Sequence, residues 1–164
     1  MAFRPVITVV RGDLLEQDVE VIVNSWNKNF IPWWLLLPQG VSGHLKKKAG
    51  YKPFRELSKK GLLTSGAAVL TGSGRLDYKA IIHVAALNCL WMSNKEIVKK
   101  SVRNALDLAL INGYESVAFP LIGSGTGGLS KTISLELIKN EAAKHAFNGS
   151  IKIVLYENAR TKSR

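Results

Sequence analysis

Short runs of branched apolar residues and longer amphipathic stretches alternate along this chain. Val6, Ile7, Thr8, Val9 and Val10 form a β-branched run that reads as a first strand. A second strand is expected at 19–23, apolar enough to be central in a sheet, ending on Asn24-Ser25-Trp26-Asn27. Helices are expected at 42–49, stopped by Gly50, and at 53–60, which opens on Pro53 and is followed by Gly61. Strands at 67–71 and 80–85 flank a Gly72-Ser73-Gly74 turn. Ser93-Asn94-Lys95-Glu96 has the spacing of a capping box. The helix behind it carries Ile97, Val98, Val102, Ala105, Leu106 and Ala109 on one face and closes at Asn112-Gly113. A strand at 116–119 follows, then a helix at 130–147 with Ile133, Leu137, Ile138 and Ala142 as its core stripe. A strand at 151–155 completes the pattern.

The resulting order, β-β-α-α-β-β-α-β-α-β, argues an α/β fold: a three-layer α/β/α domain with a mixed central sheet. Ligands of such sheets bind outside the carboxyl ends of the strands. Two unusual connections leave strands at that end and are expected to form two walls of one cleft. The first, 24–43, contains Pro32-Trp33-Trp34-Leu35-Leu36-Leu37-Pro38-Gln39-Gly40. A connection of that length inside a compact domain is usually functional. Its apolar side chains are open to three readings: packing on the core, walling a ligand, or contacting a partner.

The second connection is Pro120-Leu121-Ile122-Gly123-Ser124-Gly125-Thr126-Gly127-Gly128-Leu129. A strand, a glycine turn and a helix start make a natural anion site. Glycine lets backbone approach a phosphate, and the helix start offers free N–H groups and a favourable dipole. Ser124 and Thr126 add hydroxyls. Gly123, Gly125 and Gly128 satisfy G-x-G-x-x-G, but a dinucleotide fold requires an acidic residue about 20 positions on at the end of the next strand, and Glu157, which follows the strand at 151–155, is too far. Gly128 is followed by Leu129-Ser130-Lys131, which excludes the phosphate loop ending Gly-Lys-Ser/Thr.

Composition refines this picture through charge. The 164 residues carry 23 Lys+Arg against 12 Asp+Glu, a formal net charge of +11. Such a surface attracts polyanions, so a phosphate-bearing substrate or partner is one reading and a generally solvated basic surface the other. The apolar stretch at 30–37 is too short to span a bilayer and contains Pro32. The first residues lack the apolar run of a signal peptide. A lone cysteine excludes an internal disulfide and fits a reducing compartment, and Cys89 reads as a small buried apolar residue. Three scattered histidines give no metal-ligand spacing. The expectation is a cytoplasmic monomer without metal, cofactor or membrane contact, with one domain at 1–158 and a basic, frayed tail at 159–164.

Several pieces, in order, resemble the macro domain family over nearly the whole chain. Gly12-Asp13-Leu14 resembles the family's Gly-Asp-Ile, and 21–27 resembles its Ile-Val-Asn-Ala-Ala-Asn. Gln39-Gly40-Val41-Ser42-Gly43-His44-Leu45 resembles the end of its Gly-Gly-Gly-Val-Asp-Gly-Ala-Ile loop. Gly66 to Thr71, Ala80 to Val84 and Ala118 to Gly125 resemble its Gly-x-Ala-x-x-Thr, Val-Ile-His and Ala-Phe-Pro-x-Ile-x-x-Gly segments. The joint order and spacing make the match specific.

The resemblance implies a macro-domain fold that binds ADP-ribose, free or attached to protein or nucleic acid. It implies that Asp13 accepts from the adenine amino group, beside Leu14, and that Tyr156 and Asn158 flank the adenine. Asn24 and Asn27 would serve the ligand, Asn27 at the distal ribose. Gly40, Val41, Ser42 and Gly43, together with Gly123, Ser124, Gly125, Thr126, Gly127 and Gly128, would hold the pyrophosphate and distal ribose by backbone N–H groups. His83 reads as a buried structural histidine.

Departures bear on catalysis. Many hydrolytic members carry Asp where this chain has Ser42, and another branch carries Asp where it has Gly127. The aromatic that often covers the distal ribose from the second loop is also replaced by glycine, and Pro32-Trp33-Trp34 is a candidate for the missing wall. If the chain is an ADP-ribosyl hydrolase or an O-acetyl-ADP-ribose deacetylase, the pyrophosphate would hold the water, with Asn27 and Ser42 as the catalytic pair orienting it. The alternatives are a non-catalytic ADP-ribose reader and a basic nucleic-acid-binding module.

Overall fold

The computed structural model describes residues 4–32, 34–35 and 40–157. Asn158 and the tail expected at 159–164 lie outside the described residues, as do Trp33, Leu36 and Leu37. Six strands, β1 (Val6–Gly12), β2 (Val21–Trp26), β3 (Ala68–Thr71), β4 (Ala80–Ala85), β5 (Ser116–Phe119) and β6 (Ser150–Tyr156), form one sheet in the order β1-β6-β5-β2-β4-β3. Every neighbouring pair is parallel except β3 with β4. An antiparallel edge strand on an otherwise parallel sheet is a common solution in α/β folds.

Among the described residues four α-helices cover the two faces: α1 (Gly40–Ala49), α2 (Lys52–Ser58), α3 (Lys95–Ile111) and α4 (Lys131–Lys144). Strand side chains alternate between the faces. Val21, Val23, Ile82, Val84, Val117, Phe119, Ile151 and Ile153 pack with Val98, Val102, Leu106, Ile138 and Ala142 of α3 and α4. Ile22, Trp26, Ile81, Ala85, Ala118 and Val154 pack with Leu45, Phe54 and Leu57 of α1 and α2. These are the three layers the sequence pattern predicts.

The sequence reading needs correction at four places. Asn94, not Ser93, caps α3, accepting from the Ile97 N–H at 2.9 Å, while the buried Ser93 hydroxyl has no hydrogen-bond partner among the described residues. Ile133 is on the exposed side of α4, whose buried stripe is Ser134, Ile138, Glu141 and Ala142. The cause is Ser134, whose hydroxyl donates to the Ile122 carbonyl at 2.6 Å and turns that face onto the glycine connection. α4 ends at Lys144, short of Phe147. Cys89 is exposed. Among the described residues no helix is long and apolar enough to cross a membrane.

Candidate functional site

The parallel strands bring their carboxyl ends to one edge of the sheet, and a cavity of about 1190 Å³ opens there. The sheet order dictates its layout. At one end, where β1 and β6 finish, Arg11, Asp13, Leu14 and Tyr156 line it. Ser124, Gly125, Thr126 and Gly127, from the connection after β5, face it at the centre. Beside them lie Ser25, Trp26 and Asn27 at the end of β2 and Val41, Ser42 and Gly43 on α1. Leu87 and Trp91, from the connection after β4, close the far end. The connections expected to share a cleft do share one.

Two kinds of backbone donor meet in the middle. α1 begins at Gly40, two residues before the expected start, so Val41, Ser42 and Gly43 occupy its first turn. Helix first-turn N–H groups lack intrahelical acceptors and carry the positive end of the dipole. The glycine connection forms a single 3-10 turn, Gly125–Gly127, instead of running into a helix. Its Gly125 and Thr126 N–H groups have no backbone acceptor among the described residues. The helix start expected next to it is set apart: Ser130 caps α4 by accepting from the Ile133 N–H.

Gly123 and Gly127 show why the turn is glycine-rich. Gly123 has φ 78°, and a Cβ there would sit 2.9 Å from Val98 Cγ2 and 3.0 Å from Leu129 Cδ1. A Cβ on Gly127 would meet Ser93 Cβ at 3.1 Å and Leu87 Cδ2 at 3.3 Å. The segment around Ser93 therefore lies directly behind the turn, and the Ser93 N–H donates to the Gly127 carbonyl at 2.9 Å.

Asp13 is already engaged. Its Oδ1 accepts from the Leu15 N–H at 2.9 Å, capping the turn Leu14–Glu16, and its Oδ2 pairs with His44 Nε2 at 2.9 Å. A carboxylate offers about four acceptor positions and two are engaged, so a further donor can still be received. Tyr78 holds this turn, its hydroxyl donating to the Gln17 carbonyl at 3.0 Å. Burial pushes the Tyr78 phenol above its ordinary pKa.

A buried relay lies behind the centre. Asn24 is fully buried and does not line the cavity, contrary to its expected place on the ligand. It connects two elements instead. Ser42 Oγ donates to Asn24 Oδ1 and to the Ser25 carbonyl, both at 2.8 Å. Asn24 Nδ2 lies 3.0 Å from His83 Nδ1, and His83 Nε2 lies 2.8 Å from Thr71 Oγ1. An amide nitrogen only donates, so Nδ1 accepts, and Nε2–H donates to Thr71, whose hydroxyl passes on to the Gly72 carbonyl at 3.0 Å. Burial lowers the His83 pKa to about 3, which keeps the ring neutral in this relay. His83 is thus the structural histidine expected from its apolar strand.

Asn27 is 2% exposed and on the cavity wall. Its Oδ1 accepts from the Asn29 N–H at 2.6 Å. The Nδ2 donors have no partner among the described residues. Gly123 and Gly128 shape the turn but do not line the cavity, and Trp34 is 67% exposed. The expected residues that do face the cavity are Asp13, Leu14, Asn27, Val41, Ser42, Gly43, Ser124, Gly125, Thr126, Gly127 and Tyr156.

Sequence reasoning missed many of the lining residues, and four of them bear on the chemistry proposed below. His44 and Lys47 follow Ser42 by about half a turn and more than one turn of α1, and Lys131 opens α4. Trp91 is the fourth. Its φ is 60°, unusual for a bulky residue and worth about 1–3 kcal/mol of strain. Asn88 secures that conformation: its Oδ1 accepts from the Leu90 and Met92 N–H groups at 2.8 and 3.0 Å, and its carbonyl accepts from Trp91 N–H at 3.0 Å. Phe30 backs the indole at 5.9 Å between ring centres. The sequence signal was an asparagine three residues before a tryptophan, too common to single out. Among the described residues no three His, Cys, Asp or Glu side chains gather as metal ligands would.

Comparison with known proteins agrees with this geometry. The family described as "Macro domain" matches residues 23–138. An O-acetyl-ADP-ribose deacetylase of Citrobacter koseri is 33% identical over 172 aligned residues, covering 96% of this chain and 93% of the relative. An uncharacterised protein of Aquifex aeolicus is 34% identical, covering 92% and 89%. A macrodomain variant from Oceanobacillus iheyensis, solved with ADPR, superposes with a TM-score of 0.78 at 23% identity, covering 94% of this chain and 87% of that one. This chain belongs to the macro domain family, and its mixed six-stranded sheet with flanking helices is the macrodomain α/β fold.

Proposed function

We infer that this protein binds ADP-ribose in the cleft and hydrolyses a group carried on the distal ribose, in a reaction of the O-acetyl-ADP-ribose deacetylase or ADP-ribosyl hydrolase type. The observation that carries the reading is the cavity itself. It spans the ends of five adjacent strands, with bare backbone donors at its centre and polar anchors on either side. In this reading Asp13 accepts from the adenine amino group and Tyr156 flanks the ring. The first turn of α1 and the turn at 124–127 donate to the pyrophosphate, with Lys47 and Lys131 adding positive charge. Asn27 donates to the distal ribose. The name of the Citrobacter koseri relative supports the enzymatic half.

Ser42 has a defined part in this chemistry. Its single proton is committed to Asn24 and Ser25, so toward the cavity it acts as an acceptor. It would accept a hydrogen from the attacking water and aim the oxygen. Ester cleavage then consumes that water: its oxygen joins the acyl carbon, the bond to the ribose oxygen breaks, and a proton ends on that oxygen. A pyrophosphate oxygen is the base available when no carboxylate is near. General-base help typically contributes about 10²–10⁴-fold, so turnover is expected to be slow.

One observation favours a second reading, a non-catalytic reader. The acidic side chains lining the cavity are Asp13, at the β1 end, and Glu136 on α4. Incubation with O-acetyl-ADP-ribose, and with ADP-ribosylated protein and DNA, separates the readings. Release of acetate or ADP-ribose that disappears in Asn27→Ala fits the hydrolase; tight retention with no product fits the reader. The +11 charge favours an acceptor that is itself anionic, such as nucleic acid. A single cytoplasmic chain is the working unit in this reading, since every residue assigned to the ligand above belongs to one chain.

A further inference from the structure

We propose that Trp91 is the specificity-determining wall for the distal sugar, the residue by which the cleft distinguishes ADP-ribose from ADP. The inference rests on the ADP-ribose reading above and assigns one side chain of that site. The position follows from the sheet. From β1 to β4 there are four strand spacings of about 4.8 Å each, roughly 19 Å in all. A ligand with its adenine at Asp13 and Tyr156 and its pyrophosphate over the centre must carry its remaining sugar toward the β4 end. Trp91 lines the cavity there, as do Leu87 and Asn27.

Three features fit the indole for that task. It is held rigid by the Asn88 hydrogen bonds and by Phe30, which stands behind it and does not itself line the cavity. Its backbone takes a positive φ because residues 88–92 close a tight turn, in which the Trp91 N–H donates to the Asn88 carbonyl and the Asn88 N–H to the Met92 carbonyl, and that turn fixes where the side chain leaves the backbone. The glycine turn braces the same segment, since bare Gly127 packs against Ser93 and Leu87 and its carbonyl accepts from the Ser93 N–H at 2.9 Å. A flat aromatic face beside a sugar excludes water from its C–H face, while Asn27 offers donors to its hydroxyls. ADP lacks that sugar and would gain nothing from the indole.

Calorimetric titration of wild type, Trp91→Ala and Trp91→Phe with ADP-ribose and with ADP tests this. The expected result is that Trp91→Ala weakens ADP-ribose about tenfold, leaves ADP unchanged, and that Trp91→Phe recovers most of the loss. Equal loss for both nucleotides, or loss for neither, overturns the proposal. Wild-type protein that binds neither nucleotide overturns the cleft reading and this inference with it. Should Trp91→Ala misfold, fluorescence of wild type against Trp91→Phe carries the test. Trp26 also lines the cavity, so an emission change produced by ADP-ribose but not ADP must shrink in Trp91→Phe; a change of undiminished size rejects the assignment.

Discussion

The Ser42 hydroxyl donates to Oδ1 of Asn24 at 2.8 Å and thereby joins the first turn of α1 to the centre of the sheet. Asn24 is fully buried, so its Oδ1 has no water to fall back on. Ser42→Ala should therefore cost about 1–3 kcal/mol of stability, the usual penalty for an orphaned buried acceptor. Denaturant unfolding measures it. If Ser42 also orients the water, the same variant should lose more in turnover than in ADP-ribose affinity.

His83 gives the protein a defined acid response. Its pKa is about 3 in the folded chain, against 6.5 for the exposed ring. Between those values the unfolded chain binds a proton that the folded one refuses, so stability is full above about pH 6.5 and falls as the pH drops toward 3. The slope from this one group is about 1.4 kcal/mol per pH unit. Unfolding free energies at pH 7, 6 and 5 should show it, and His83→Gln, which cannot titrate, should flatten it.

The glycine turn separates packing from binding. Gly123→Ala places a methyl against Val98 and Leu129 at a positive φ and should destabilise by about 1–3 kcal/mol from overpacking alone. Gly125→Ala meets no neighbouring atom within 4 Å but shares a positive φ of 68°, a strain of about 1–2 kcal/mol. It adds a methyl to a residue on the cavity wall. Gly125→Ala should thus lose ADP-ribose affinity out of proportion to its change in melting temperature, and Gly123→Ala the reverse.

Asp13 should act on adenine alone. Asp13→Ala removes an acceptor for the adenine amino group along with the His44 pair. AMP and ADP-ribose both carry adenine, so both should weaken by the same factor, about tenfold, in parallel titrations. A loss confined to ADP-ribose would place the adenine elsewhere.

The fold was legible because each apolar run had a single sensible use. Ile22, Ile81 and Ala118 face one layer and Val21, Ile82 and Val117 the other, and those alternations are written in the strands. The glycine turn was legible because so many bare positions in 123–128 need a reason. Errors arose where one polar bond decided between similar choices. Ser134 bonding to Ile122 turned Ile133 outward, and Asn94 displaced its neighbour Ser93 as the cap. Asn24 reads like a ligand residue in sequence, yet its neighbours His83 and Ser42 are brought to it only by folding. Trp91 and His44 reach the cavity through sheet order and helix phase, which no local spacing encodes.

ADP-ribose is the ligand proposed for the whole length of the cleft. Calorimetric titration of the purified protein with ADP-ribose, with AMP as the control, tests it most directly. One ligand per chain is expected, bound well above AMP, because AMP occupies only the Asp13 and Tyr156 end. Equal affinity for the two, or no heat from either, would contradict it.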